Sequence, residues 1–225
     1  MFVVAGLGVA VPTGLAARLV GAVGGRTVAA FDGPLPACAT GDILTPDRSD
    51  ADWSRVLLDP TFRLDRDDVP ADLVPVAEAG LAGDGSVRLL VIDDLRALAR
   101  AARADGVRLR VTSAFRSYDD QVRTVESLQR AYGHAWTALS AARPGHSEHQ
   151  LGTALDLDGG DAWLAANAWR HGFVVSYPQD RSPTFTCYKP EPWHVRYVGR
   201  TEATAVHDSG LSLREWLWLH AEDLP

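Results

Sequence analysis

SEHQLGTALDL, residues 147–157, decides how this chain is read. It sets His149 and Asp156 seven positions apart, with Gly152 between them. Side chains alternate between the faces of a strand, so residues an odd number apart do not share a face. For both to serve one site, His149 has to sit in a loop before the strand. Gly152 then supplies backbone freedom for a turn, and residues 153–157 run as the strand that presents Asp156. An imidazole and a carboxylate brought together in this way make a pair of metal ligands. A polar turn with a capping aspartate is the plain alternative.

A hydrolytic zinc centre takes three ligands from His, Asp or Glu and keeps one position for water. EPWH, residues 191–194, offers a third ligand in His194 and, in Glu191, a carboxylate able to take a proton from that water. Glu191 and His194 are three apart, again on opposite faces of a regular strand. Pro192 between them is expected to bend the segment, and it argues against a continuous central strand at its own position. The chain has seven histidines. His134, His146, His171, His207 and His220 are expected at the surface, in caps or in the core. Arg116, within SAFRSYDDQ (113–121), follows a strand and precedes a helix. A guanidinium there can grip a carboxylate through two parallel hydrogen bonds, or pair with Asp119 or Asp120 as an ordinary surface arginine. Spacing alone leaves both readings open, for the metal ligands as for the arginine.

At 225 residues the chain has room for one domain with a sizeable core and a terminal extension. Its hydrophobic fraction of 46% and charged fraction of 23% suit a soluble globular protein. A net charge of −7 argues against nucleic acid, whose phosphates need a basic face. Cys38 and Cys187 are too few for a four-thiolate zinc site and lack the close spacing of paired ligands. They stand as two free thiols or as one long-range disulfide. Residues 1–29 open with an uncharged apolar run, shorter than the ~20 residues that span a bilayer, and read as a signal or export segment without its usual basic start, with an ordinary buried N-terminal segment as the alternative. Residues 30–52, with prolines, glycines and aspartates, read as an extended linker or arm. Residues 53–225 read as the packed domain.

Within that domain, Ile92, Leu95, Leu98, Ala99 and Ala102 have helical spacing, and Gly106 ends the helix. Val107, Leu109 and Val111 alternate with arginines as a half-buried strand. Ser117 caps the next helix with Asp120 as partner, and Val122, Val125, Leu128 and Tyr132 give that helix an inner face. A helix capped by Asp161 and stopped by Gly172, strands at 173–177 and 193–198, and a last helix with a Ser212–Glu215 capping box complete the pattern. The order lacks βαβ regularity, so the expected class is α+β, a small mostly antiparallel sheet with flanking helices.

Four segments in order, SAFRSYDDQ, ARPGHSEHQLGTALDL, WLAANAWRHGFVVSYP and EPWHVRYVG, resemble the VanY-type D-alanyl-D-alanine carboxypeptidases, zinc peptidases of bacterial cell-wall metabolism. The resemblance covers residues 53–219. It implies the Hedgehog/DD-peptidase-like fold, with the metal at one side of the sheet. It implies one Zn2+ per chain on His149, Asp156 and His194, with Glu191 as general base. Arg116 would hold the substrate's terminal carboxylate, and Gln121 and Ser147 would line the substrate pocket. TCYKPEPWH resembles an actinobacterial-looking subgroup, which implies a Cys38–Cys187 disulfide and an oxidising, extracytoplasmic setting. The expected partner is a peptidoglycan stem peptide, acted on by a monomer with no membrane span in the mature domain. Alternatives are an L,D-carboxypeptidase or endopeptidase on stem peptides, a zinc-containing wall-binding module without turnover, and a cytosolic dipeptidase.

Overall fold

A computed structural model describes residues 35–45 and 53–220. The expected export segment, 1–29, lies outside these residues. The arm carries β1 (Ile43–Leu44), which pairs in parallel with β2 (Phe62–Arg63). A hairpin of β3 (Leu73–Pro75) and β4 (Ser86–Arg88) leads to α1 (Ile92–Ala104). Next come β5 (Arg110–Ser113), α2 (Tyr118–Tyr132), α3 (His134–Ala138), β6 (Ala154–Asp158) and α4 (Asp161–Asn167). The chain continues through β7 (Phe173–Tyr177), the short α5 (Pro183–Thr186), β8 (Glu191–Tyr197), α6 (Arg200–Ser209) and α7 (Leu213–His220). Four strands form one antiparallel sheet in the order β5-β6-β8-β7. The class is α+β, as the pattern of elements implied.

Alternation in the two central strands sorts apolar from polar. Leu155 and Leu157 of β6 and Val195 of β8 are buried in a core with Leu95, Leu98 and Ala102 of α1 and Phe173 of β7. Burying each such leucine contributes about 1.5–3 kcal/mol, so the apolar face clamps the sheet onto α1. Asp156, His194 and Arg196 take the other face. The register sets Asp156 directly opposite His194. Cβ atoms of such cross-strand partners lie about 4.5–5.5 Å apart. Strand pairing alone therefore brings two of the expected ligands together. A second cluster, with Val198, Ala203, Val206, Leu213 and Trp216, packs α6 and α7 onto the fold.

Four expectations are corrected. β5 begins at Arg110, because the Val107 N–H is used to close α1 on the Ala102 carbonyl. Gly160 is the residue that precedes α4, and Asp161 is its first helical residue. The apolar positions of α2 do not form a buried inner face. Gln121 is the buried residue of α2, and Tyr132 is 60% exposed. This helix borders a cleft, onto which Thr124 and Leu128 open, instead of the core. Finally, Pro192 lies inside β8. β8 pairs with β6 only at 194–196, so no bond from β6 needs the missing N–H. Towards β7 the register jumps from Val175 opposite Val195 to Tyr177 opposite Glu191, which leaves two extra residues on β8 as a bulge.

Gly152 has φ 69°, and a Cβ there would lie 3.0 Å from Arg88 Cγ and from Leu73 Cδ2. Gly152→Ala is expected to lower the unfolding free energy by about 1–3 kcal/mol, read from denaturant midpoints at constant slope.

The arm is fastened at several points. Cys38 is joined to Cys187 by a disulfide with Cα atoms 5.3 Å apart. The Arg214 guanidinium donates to the Pro36 carbonyl, Arg143 donates to the Gly41 carbonyl, and the Gly41 N–H donates to the Pro60 carbonyl. The bridge spans a sequence separation of 149 residues. For a loop this long the chain-entropy model gives about 5 kcal/mol, and removal of a native bridge typically costs about 2–5 kcal/mol. The Cys38→Ser/Cys187→Ser variant is expected to lose stability in that range, measured by urea unfolding without reductant.

Candidate active site

His149 lies in a single 3-10 turn, Glu148–Leu151, which closes on left-handed Gly152 before β6 begins. Turn first and strand second is the arrangement the stretch demanded. His149 Nδ1 is 2.7 Å from the Ala114 carbonyl oxygen, which can only accept. Nδ1 therefore carries the proton, and Nε2 faces Asp156 Oδ2 at 3.4 Å. His194 sets its Nδ1 3.0 Å from Asp156 Oδ1. The three residues each offer a ligand atom, and these atoms lie within 4.8 Å of one another. Two imidazoles and a carboxylate are a donor set that zinc accepts. A cleft that also exposes Arg116, Ser147, Tyr177, Glu191 and Trp193 opens onto them, so the residues fit the ion.

The electrostatics favour a positive charge at this point. Burial disfavours a charged His194, but hydrogen bonds to Asp156 and Glu148 reverse this and push its pKa up to about 10. Burial alone would raise the Asp156 carboxyl, yet His149 and His194 hold it well below the ordinary carboxylate range. Burial pushes the His149 imidazole down despite Asp156 beside it. The same carboxylates would stabilise a divalent cation placed among these groups.

Glu191 reaches the cleft through the bulge in β8. Strict alternation would put it on the opposite face from His194, but the pairing with β7 is irregular between Glu191 and Val195, and both Glu191 and His194 line the cleft. Burial pushes its carboxyl up to about 7, with His194 pulling the other way. A carboxylate in that range can accept a proton near neutral pH.

Arg116 comes three residues after β5. Its guanidinium donates to Gln121 Oε1 at 2.8 Å and to Ser113 Oγ at 2.7 Å, and Nη2 lies 3.9 Å from Asp156 Oδ2. Asp119 and Asp120 pair instead with Arg66 and Arg123. Gln121 is 1% exposed, and its Nε2 donates to the Ala142 carbonyl. Both ends of its amide are engaged, so it reaches the cleft chiefly through the arginine it steadies. Ser147 immediately precedes the turn that carries His149 and lines the cleft.

A family model described as VanY, D-alanyl-D-alanine carboxypeptidase, matches residues 85–200. The chain belongs to the VanY family. A D-alanyl-D-alanine carboxypeptidase of Enterococcus faecalis is 38% identical over 141 residues, 55% of this chain and 52% of the relative. The chain spans about half the length of the curated relatives it matches, 53% and 52% of the first two. A vancomycin-resistance D,D-pentapeptidase VanY, solved as a mutant in complex with Zn(II), has TM-score 0.65 and 31% identity, covering 73% of this chain and 99% of that one. The LD-carboxypeptidase LdcB has TM-score 0.65 and 28% identity, covering 72% of this chain and 85% of that one.

This VanY-family site includes groups that the motifs did not single out. Glu148 Oε2 lies 3.0 Å from His194 Nε2 and accepts from Ser176 Oγ at 2.6 Å. Its Oε1 accepts from Arg196 Nη1 at 3.0 Å. Burial would raise the Glu148 carboxyl, but Arg196, His194 and Ser176 bring it to about 2. The Tyr177 ring packs on His194 with centroids 5.1 Å apart. The one sequence signal was position: Glu148 adjoins His149, and Arg196 is two residues beyond His194 on the same strand face. The five other histidines stay outside the ligand cluster. Among them, His146 bonds the Asp59 carbonyl, His207 stacks on Trp169 and His220 on Trp216.

Proposed function

We propose that this chain is a zinc-dependent D-alanyl-D-alanine carboxypeptidase that removes the terminal D-alanine of peptidoglycan stem peptides. One observation carries the reading: Arg116, Glu191 and the His149–Asp156–His194 cluster share a single cleft. A carboxypeptidase must recognise a free carboxylate one residue beyond the bond it cuts. The guanidinium and the ligand cluster supply two fixed points for this, with Arg116 Nη2 3.9 Å from Asp156.

Zinc held by His149, Asp156 and His194 would polarise the scissile carbonyl and lower the pKa of a water to about 7. Glu191 takes a proton from the attacking water as its oxygen bonds to the carbonyl carbon. It returns that proton to the leaving amine nitrogen as the C–N bond breaks. Arg116 holds the terminal carboxylate through two parallel hydrogen bonds, and Gln121 and Ser113 keep the guanidinium in place. The site is complete within one chain, which supports a monomer. The disulfide and a cell-wall substrate both support work in an oxidising place outside the cytoplasm. Among the described residues no helix is long and apolar enough to cross a membrane.

The test is to incubate the zinc-loaded protein with muramyl pentapeptide and tetrapeptide and follow the products by mass spectrometry. Loss of one alanine from the pentapeptide is the expected result. The likeness to LdcB is the reason for the tetrapeptide arm. Cleavage of tetrapeptide alone would move the reading to an L,D-carboxypeptidase. Silence on both, with zinc bound, would leave a wall-binding module.

A further inference from the structure

We propose that Glu148 is a positioning residue of the metal centre: its carboxylate pins the His194 ring so that Nδ1 faces the ion, and buried Arg196 balances the charge this requires. The inference rests on the zinc reading above but not on any particular peptide substrate.

The argument starts from the two imidazoles. Each ring has two nitrogens, and a neutral ring carries a proton on one of them. The Ala114 carbonyl takes the N–H of His149 at Nδ1 and leaves Nε2 for the ion. Glu148 Oε2, 3.0 Å away, takes the N–H of His194 at Nε2 and leaves Nδ1 on the Asp156 side. The two ligands thus present opposite nitrogens, each chosen by the acceptor behind it. A ring flip of His194 would place the wrong atom against Asp156.

The acceptor behind His149 is backbone, which no substitution removes. The acceptor behind His194 is a side chain, and holding it there is expensive. Glu148 is 5% exposed, and a lone carboxylate at that depth is strongly disfavoured. Arg196, 0% exposed, offsets this by donating to Oε1, and Ser176 donates to Oε2. Three buried polar groups on three elements are therefore spent on one ring orientation. Glu148 is also the chain neighbour of His149, so the same carboxylate ties the ligand turn to the ligand strand. A carboxylate behind a histidine ligand also raises its donor strength, and loss of such partners typically weakens metal binding about 10–100-fold.

The test compares two double variants, Glu148→Leu/Arg196→Met and Glu148→Gln/Arg196→Met. Both remove the buried charge pair together, which avoids stranding one ion. They differ in whether an acceptor oxygen faces His194 Nε2. Zinc affinity is read by chelator competition, and the imidazole nitrogens of the zinc-loaded proteins are read by 15N NMR. The wild type is expected to show His194 protonated at Nε2 and in slow exchange. The leucine variant is expected to lose that signal and to bind zinc about 10–100-fold more weakly. The glutamine variant is expected to keep the signal and to recover most of the affinity. A leucine variant with wild-type zinc affinity and an unchanged His194 signal would overturn the proposal. If the leucine variant does not fold, the glutamine variant decides alone, and loss of its Nε2–H signal overturns the proposal. A wild type that shows the pinned ring but cleaves neither muropeptide would sink the proposed function and leave this inference standing. A wild type that takes up no zinc ends both.

Discussion

Glu191→Gln is expected to lower kcat for release of the terminal alanine by about 10²–10⁴-fold while zinc stays bound. The change keeps the side chain's size and removes its basicity. Glu191 is not among the three clustered ligand residues, so elemental analysis of the variant should still find one zinc per chain. The same carboxylate fixes the sign of the pH dependence. It has to be ionised to take a proton, so kcat/KM rises with pH through its pKa. Burial places that pKa at about 7 in the protein without a cation. A dication in the cleft favours the charged form and lowers it, so the acid limb in the zinc-loaded enzyme is expected below pH 7. The limb should vanish in the glutamine variant. A variant that keeps most of its activity would remove Glu191 from the chemistry. A variant that loses the metal would make the residue structural.

Arg116→Met is expected to cost about 10²–10³-fold in kcat/KM on peptides with a free C-terminal carboxylate, because truncating one partner of a buried charge pair costs about 2–5 kcal/mol. The guanidinium is held in place: Gln121 and Ser113 each take one of its donors, and the residue lines the cleft. The same peptide with an amidated C-terminus separates the roles. It carries no charge for Arg116 to grip, so wild type and variant should cleave it at similar, low rates. Equal losses on both peptides would mean that Arg116 acts on the bond being cut or on Asp156, which lies 3.9 Å away. Zinc content is measured alongside, since a loss of metal would produce the same pattern.

Much of the site was legible because it is local. The turn at His149, the left-handed glycine and the strand carrying Asp156 follow from the short stretch 149–156 and the alternation of a strand. The capping pairs at Ser117 and Ser212 are equally local, and both are present. The bulge in β8 was not legible, because it is a mismatch between two strands and belongs to neither alone. Pro192 signalled an irregularity, but the sequence could not say that the strand would continue through it. Glu148 escaped notice because its partners Ser176, His194 and Arg196 are 28, 46 and 48 residues away, and only the closed sheet assembles them. The face of α2 was misjudged for a related reason. A period of 3.6 shows that a helix has two sides, and a cleft asks for a moderately apolar wall much as a core does.

The sulfur link between positions 38 and 187 also governs what a nick can do. A single peptide-bond cut between residues 45 and 53 would leave two polypeptides still covalently attached, separating on a denaturing gel only after reduction. Because the half-cystine at 187 sits four residues ahead of Glu191, the shorter fragment would stay moored beside the strand that carries Glu191 and His194. Trimming by a protease at that boundary is therefore not a way to shed the arm.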